Sequence, residues 1–231
     1  MIPKIIWQTH EIEYDKLSKV QKNVTNTWKN FNPDWDHRYT DRKQREQDVK
    51  DYSDILYECY KLSNNVNQAD LWRIITTYNH GGVYADMDSV CINPLNEMIE
   101  NYYTGQDMVC TSIGGDLKLG PTPKGSVNCA NFAAVKNSQT LKYILDAVTE
   151  KCINMLESNQ TEKLRTTQGV PVWSSFSDIT KRNKHNILFR DDYCYHAKKF
   201  TSSFNPSYEV LYNNEQTTYK NLVRLNNWKL Y

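Results

Sequence analysis

Asp86 and Asp88, separated by Met87, are the residues of this 231-residue chain whose types and spacing point most directly to chemistry. Read as the end of a strand that begins at Val83-Tyr84-Ala85, two carboxylates two residues apart project to the same side of extended chain. Like charges sharing one site repel, so the pair needs a cation between them or a proton on one of them. A hard divalent ion, Mg²⁺ or Mn²⁺, meets that need and keeps coordination positions for the phosphate oxygens of a substrate. A bare D-x-D also occurs in solvated turns, so its surroundings decide. Upstream, Asp70 and Arg73 stand three residues apart, a spacing that puts both on one face of a helix. Taken alone they would equally serve as a surface ion pair.

The elements that must position these side chains follow from apolar periodicity. Leu71, Ile74, Ile75 and Tyr78 trace one face of a helix between Val66 and Tyr78, while Asp70, Arg73 and Thr77 recur on another. Gly81-Gly82 ends that helix, as glycine beyond a helix terminus commonly does, and the strand toward Asp86 follows. Pro3 to Thr9 is a short apolar run, expected to be a first buried strand. Leu17, Val20, Val24 and Trp28 have helical spacing, and Asn32-Pro33 closes that segment. A further helix is expected over Asp51 to Leu62, with Ile55, Leu56, Cys59 and Tyr60 on one side. Met108 to Ile113, Asn131 to Val135 and Ile187 to Phe189 are expected strands. Ser138 caps a long helix whose buried face carries Leu141, Ile144, Leu145, Val148 and Cys152. Gly114 to Gly125 is a connector rich in glycine and proline, expected to be a mobile loop. Strands alternating with helices make this an α/β chain, expected to form one domain over 1–231. Its residues 1–100 would hold donor and metal, and 101–231 would supply the acceptor side and a C-terminal lid.

Bulk properties exclude several classes. Lys and Arg total 28 against 27 for Asp and Glu, a formal net charge of +1, which argues against a duplex nucleic-acid partner. The six cysteines include no C-x-x-C pair, so neither a zinc framework nor an obligatory disulfide scaffold is expected. No apolar run reaches the roughly 18 residues of a membrane span, so no transmembrane segment is expected. The start lacks the pattern of a signal peptide. The expected location is cytoplasmic, in a bacterium or a virus-infected host cell. A luminal Golgi domain is the alternative, with Asn23-Val24-Thr25 and Asn159-Gln160-Thr161 then serving as glycosylation acceptors.

The stretch Gln68-Ala-Asp70-Leu-Trp-Arg73, followed by Gly81-Gly82-Val-Tyr84-Ala-Asp86-Met-Asp88, resembles the signature of glycosyltransferase family 32, A-x-x-S-D-x-x-R and then G-G-x-Y-x-D-x-D. The opening Ile2-Pro-Lys-Ile-Ile-Trp-Gln-Thr9 is similar to the family's I-P-K-x-I-H-Q-x-W. Trp28-Lys-Asn-Phe-Asn32-Pro33-Asp34-Trp35 is similar to its W-x-x-x-N-P-x-W. The resemblance covers the first ninety residues and fades beyond them. It implies a GT-A fold, a Rossmann-like α/β domain with a mixed central sheet, and a nucleotide-sugar donor carrying UDP or GDP. Residue by residue, it implies Asp88 as direct metal ligand and Asp86 at the ribose and the metal's shell. Asp70 and Arg73 would hold the donor sugar and diphosphate, and Trp7, Gln8 and Thr9 would line the base pocket, although Trp7 equally suits a core. The family's C-terminal H…S-W element is replaced here by Arg224-Leu-Asn226-Asn227-Trp228. Arg224 and Trp228 would then complete the donor site, and Asn227, Asn226 or His196 would supply the third metal ligand.

The chemistry implied is transfer of a hexose to a glycan or other hydroxyl acceptor, the metal acting as a Lewis acid on the departing diphosphate. Arg73 and Arg224 would add fixed positive charge as that group leaves. The resemblance implies retention of anomeric configuration, by a front-face route in which the leaving phosphate takes the acceptor's proton. Two other functions fit the same D-x-D. A nucleotide-sugar hydrolase would turn over donor regardless of acceptor, and a non-catalytic sugar-binding relative would bind donor and Mn²⁺ without turnover.

Overall fold

The computed structural model describes residues 1–113, 126–158, 160–165, 172–189, 194–196, 209–212 and 215–218. In chain order these form β1 (Ile5–Thr9), α1 (Lys19–Phe31), β2 (Asp36–Thr40), α2 (Arg42–Tyr52), α3 (Asp54–Leu62), α4 (Asn65–His80), β3 (Gly82–Ala85), β4 (Ser89–Cys91), α5 (Leu95–Tyr102), β5 (Met108–Ile113) and β6 (Ser126–Ala134). Then come α6 (Gln139–Glu157), α7 (Glu162–Arg165), α8 (Val172–Arg182), β7 (Ile187–Phe189), β8 (Cys194–His196), β9 (Glu209–Tyr212) and β10 (Glu215–Thr218).

Six strands make a mixed sheet in the order β2-β1-β3-β6-β5-β7. β1 runs parallel to both β2 and β3, whereas β6 is antiparallel to its neighbours β3 and β5. β9 and β10 pair with each other, as do β4 and β8. Alternation along the strands divides the core in two, because successive side chains face opposite ways. Trp7, Tyr84, Met108, Cys110 and Phe132 pack with residues of α2, α3, α4, α6 and α8 on one face. Ile6, Val83, Ala85, Val109 and Ala133 pack with Trp28 of α1 and with Leu95 and Met98 of α5 on the other. The outcome is a three-layer α/β arrangement.

Local chemistry sets the element ends. Ser18 and Gln21 form a reciprocal capping box at the start of α1, an arrangement that satisfies two of the helix's otherwise orphaned amides. Two glycines carry the junction between α4 and β3. Gly81 has φ +70° and Gly82 φ +103°, both in the region that side chains rarely adopt. A Cβ on Gly82 would also lie 2.6 Å from the Ile5 carbonyl oxygen, and one on Gly81 2.7 Å from the Lys136 amide. The helix can therefore turn into the sheet only through glycine.

Three expectations are corrected. The helix expected from Asp51 to Leu62 begins instead at Asp54 as α3, capped by the Ser53 side chain, and a separate helix that was not expected, α2, precedes it over Arg42–Tyr52. The buried residues of α2 are only Arg45 and Val49, too few to print an apolar period. β6 begins at Ser126 rather than Asn131, and a register shift between Cys110 and Thr111 interrupts its pairing with β5. Asp86-Met87-Asp88 is not extended chain but a turn between β3 and β4, closed by the Ser89 amide on the Asp86 carbonyl at 2.9 Å. Gly114–Gly125 lies outside the described residues. Among the described residues no helix is long and apolar enough to cross a membrane.

Candidate active site

The chain leaves β1 to one side to form β2, then returns to the other side of β1 to form β3. Such a change of direction opens a crevice at the carboxyl ends of the strands, where α/β sheets bind ligands. The end of β1 delivers Gln8 and Thr9 there, and the end of β3 delivers Asp86 and Asp88. Asp86 and Asp88 are both half-buried. The Asp86 amide continues the β3–β6 ladder by donating to the Ala130 carbonyl at 2.8 Å.

Beneath this turn lies a buried ionic network. The Arg73 guanidinium, 6% exposed, reaches Asp70 at 2.6 Å and Asp86 at 3.2 Å through Nη2. Its Nη1 donates to the Cys129 carbonyl at 2.8 Å, and the guanidinium lies 4.6 Å from the centre of the Tyr84 ring. The Tyr84 hydroxyl donates to Asp86 Oδ1 at 2.7 Å, the same oxygen that Arg73 contacts. Burial opposes the Arg73 charge, but Asp70 and then Asp86 outweigh it and hold the guanidinium well above its usual range. Burial also pushes the Asp70 carboxyl up; Arg73 opposes that rise and Asp86 adds to it. For Tyr84, burial is the main cause of a hydroxyl held well above its usual range, so it stays protonated and donates.

The i, i+3 spacing of Asp70 and Arg73 thus produces a buried pair rather than a surface one. Its cation points at the D-x-D turn from below, where it orients Asp86. Two carboxylates, Asp70 and Asp86, share one guanidinium, and Asp88 adds a third carboxylate two residues along the turn, a concentration of like charge that a divalent ion would relieve. Among the described residues no group of three or more His, Cys, Asp or Glu is arranged to hold a metal. Two carboxylates completed by substrate oxygens are nevertheless a donor set that suits Mg²⁺ or Mn²⁺. Oδ1 of Asp86 is engaged by both Arg73 and Tyr84.

The other residues singled out from sequence divide into three groups. Gln8 is fully buried; its Oε1 lies 2.8 Å from His37 Nε2, and its Nε2 donates to the Asp86 carbonyl at 3.4 Å. Thr9 donates to the Thr40 carbonyl at 2.6 Å and accepts from Arg45, which also pairs with Glu11. Trp7 sits in the core, edge-on to Trp72 at 6.4 Å, with its indole N–H on the Gly81 carbonyl at 2.9 Å. His196 is brought near by backbone pairing, its position in β8 facing Ser89 of β4. Arg224, Asn226, Asn227 and Trp228 lie outside the described residues. Sequence reasoning missed Tyr84, which reads as an ordinary strand aromatic, and His37, a lone histidine on β2. The signs for Tyr84 were its place in the G-G-x-Y-x-D-x-D pattern and its position two residues before Asp86.

Residues 18–104 match the family model described as the glycosyltransferase sugar-binding region containing a DXD motif. The chain is 32% identical over 105 residues to an initiation-specific alpha-1,6-mannosyltransferase of Candida albicans, covering 43% of this chain and 27% of that protein. It is 32% identical over 102 residues to inositol phosphoceramide mannosyltransferase 3 of Schizosaccharomyces pombe, covering 42% and 27%. The chain therefore spans about a quarter of the length of these curated relatives. The UDP-bound glycosyltransferase domain of the YGT toxin superposes with a TM-score of 0.52 at 9% identity, covering 87% of this chain and 82% of that one. Its ligand-free form gives 0.53 at 8% identity, covering 82% and 80%. The architecture is that of the GT-A fold, and the segment carrying Asp70, Arg73, Asp86 and Asp88 is similar to a DXD-containing sugar-binding region of glycosyltransferases.

Proposed function

We propose, from the premise that residues 18–104 form a DXD-type sugar-binding region, that this chain is a metal-dependent glycosyltransferase moving a hexose from a nucleotide-sugar to a glycan or other hydroxyl acceptor. The observation that carries the reading is the Arg73–Asp70–Asp86 network, buried under a D-x-D turn at the carboxyl ends of β1 and β3. A buried charge network this close to the surface of a crevice marks a functional site more often than a structural one. The reading assigns metal coordination to Asp88 and, through its outer oxygen, to Asp86. Bound there, Mn²⁺ or Mg²⁺ supplies Lewis-acid stabilisation of the diphosphate that departs.

The residues of the chain do the positioning. Tyr84 and Arg73 hold Asp86 in one rotamer, and Gln8 holds its carbonyl, so the turn need not reorganise when charge develops. Asp70, which keeps only part of its carboxylate on Arg73, is the acceptor for a donor-sugar hydroxyl. The proposed transfer retains anomeric configuration, with the leaving phosphate taking the acceptor's proton. Two relatives are named mannosyltransferases, which places mannosyl donors first among the UDP- and GDP-sugars to be tried.

Thermal-shift screening with Mn²⁺ and a panel of nucleotide-sugars tests the donor site, because selective binding stabilises the native state by mass action. The expected outcome is stabilisation by one donor class that requires Mn²⁺ and is lost in Asp88→Asn. Donor turnover that no acceptor accelerates would instead support a hydrolase. NMR of the product's anomeric centre tests retention, and an inverted product defeats that part of the reading.

A further inference from the structure

Trp28, Asn32 and Trp35 form the W-x-x-x-N-P-x-W block of the sequence, and the chemistry above gives them no task. The structure places all three against the chain that leaves the D-x-D turn. The Trp28 indole N–H donates to the Ser89 carbonyl at 2.8 Å. Asn32 Oδ1 accepts from the Leu95 amide at 2.7 Å, and its Nδ2 reaches Cys91 Sγ at 3.5 Å. The Trp35 indole N–H donates to Asn96 Oδ1 at 2.9 Å. Two threonines of the same helix join them: Thr27 Oγ1 accepts from the Cys91 amide at 3.0 Å, and Thr25 Oγ1 donates to Met87 Sδ at 3.6 Å. Contacts therefore run in step along both segments, from the middle of the D-x-D to Asn96. Trp28, Thr25 and Thr27 are buried, so water does not substitute for these bonds.

We propose that α1 is a splint for the D-x-D turn, and that Trp28 is a positioning residue for Asp88. This rests on the metal-binding reading of Asp86 and Asp88. Ser89 follows Asp88 directly and is held at both ends: its amide closes the turn on the Asp86 carbonyl at 2.9 Å, and its carbonyl is fixed by Trp28. The backbone that carries the Asp88 carboxylate is thereby set before any ligand arrives. Groups that orient a metal ligand typically contribute 10- to 100-fold to metal affinity.

The test compares Trp28→Phe with Trp35→Phe. Each deletes one indole N–H and shrinks one ring of the same buried cluster, but only Trp28 contacts the residue next to Asp88. Mn²⁺ affinity is read by electron paramagnetic resonance on the full chain, with melting temperature alongside. Trp28→Phe is expected to weaken Mn²⁺ binding about tenfold, while Trp35→Phe stays within about twofold at a comparable loss of melting temperature. Should Trp28→Phe not fold, Thr27→Val removes the Cys91 contact in an isosteric side chain and is expected to weaken Mn²⁺ about threefold. Equal Mn²⁺ affinity in Trp28→Phe and wild type, or equal weakening in both tryptophan variants, overturns the splint and leaves the donor site standing. A wild-type chain that binds no Mn²⁺ overturns the metal-binding reading itself, and the splint with it.

Discussion

Arg73→Met separates a cation that holds the site together from one that serves only the substrate. In the native chain Arg73 pairs with two carboxylates at 2.6 and 3.2 Å and satisfies the Cys129 carbonyl at 2.8 Å. Methionine fills much of the volume but supplies neither charge nor donor. Breaking a buried ion pair by removing one partner costs roughly 3–5 kcal/mol, and an orphaned buried carbonyl adds about 1–3 kcal/mol. Relaxation and protonation of Asp70, already pushed upward by burial, offset part of this, so about 4 kcal/mol is expected. A chain of ordinary stability, about 5–15 kcal/mol, survives that loss. Urea unfolding followed by tryptophan fluorescence measures it, since Trp7 and Trp72 lie in the adjoining core. Adding Asp70→Asn removes one stranded charge, so the double variant should recover about 2 kcal/mol of the loss. Mn²⁺ should stabilise Arg73→Met more than wild type, because Asp70 and Asp86 then lose the cation they share. If Arg73→Met cost less than about 1 kcal/mol, or Asp70→Asn recovered nothing, the network would not be the internal support described here.

Further consequences concern the parts that surround this network. Tyr84→Phe removes one hydrogen bond to a charged oxygen, with an expected loss of about 2 kcal/mol in stability; kcat/KM should fall about tenfold, and an unchanged kcat/KM would exclude Tyr84 from holding Asp86. Gly82→Ala should destabilise by about 3 kcal/mol through its positive φ and the Cβ–carbonyl clash, measured as a lowered urea midpoint; an unchanged midpoint would show that the junction can relax. His37 is held down to about 4, chiefly by burial and then by Lys29. Because the folded value lies below the unfolded one, this contribution is intact above about 6.5 and is lost as pH falls through about 4. Wild type should therefore lose about 2–3 kcal/mol more than His37→Gln between those limits; parallel stability curves from pH 7 to 4 would contradict this.

Much of the fold was legible where one physical signal dominates. The helix before the D-x-D shows because Leu71, Ile74 and Ile75 share a face and Gly81 ends it, and all three are buried as that pattern requires. β1 and β5 show because their apolar runs are too short for a helix and are bounded by turn residues. α2 was invisible because its surface is charged and its buried positions are Val49 and an arginine, Arg45, whose burial depends on Thr9 and Glu11 from distant chain. The turn at Asp86-Met87-Asp88 reads as strand because Val83-Tyr84-Ala85 begins one just before it, and the ladder does continue as far as the Asp86 amide. What ends it is Ser89 folding back, a bond between backbone atoms that no side-chain pattern announces.

The same distinction applies to the site. Residue types and spacing identified Asp70, Arg73, Asp86 and Asp88, since each carries a charge that must be accounted for. They could not show that Arg73 spends its donors on two carboxylates and a carbonyl, because Cys129 comes from β6, far along the chain. Nor could they show that a strand tyrosine and a β1 glutamine reach the same aspartate from opposite sides, Tyr84 at the side chain and Gln8 at the carbonyl. A side chain gripped in this way has little conformational entropy left to lose on binding. The D-x-D turn is accordingly shaped by β1, α4 and β3, together with α1 and β6, before a ligand enters. The affinity of such a site should depend more on these supports than their distance from the metal would indicate.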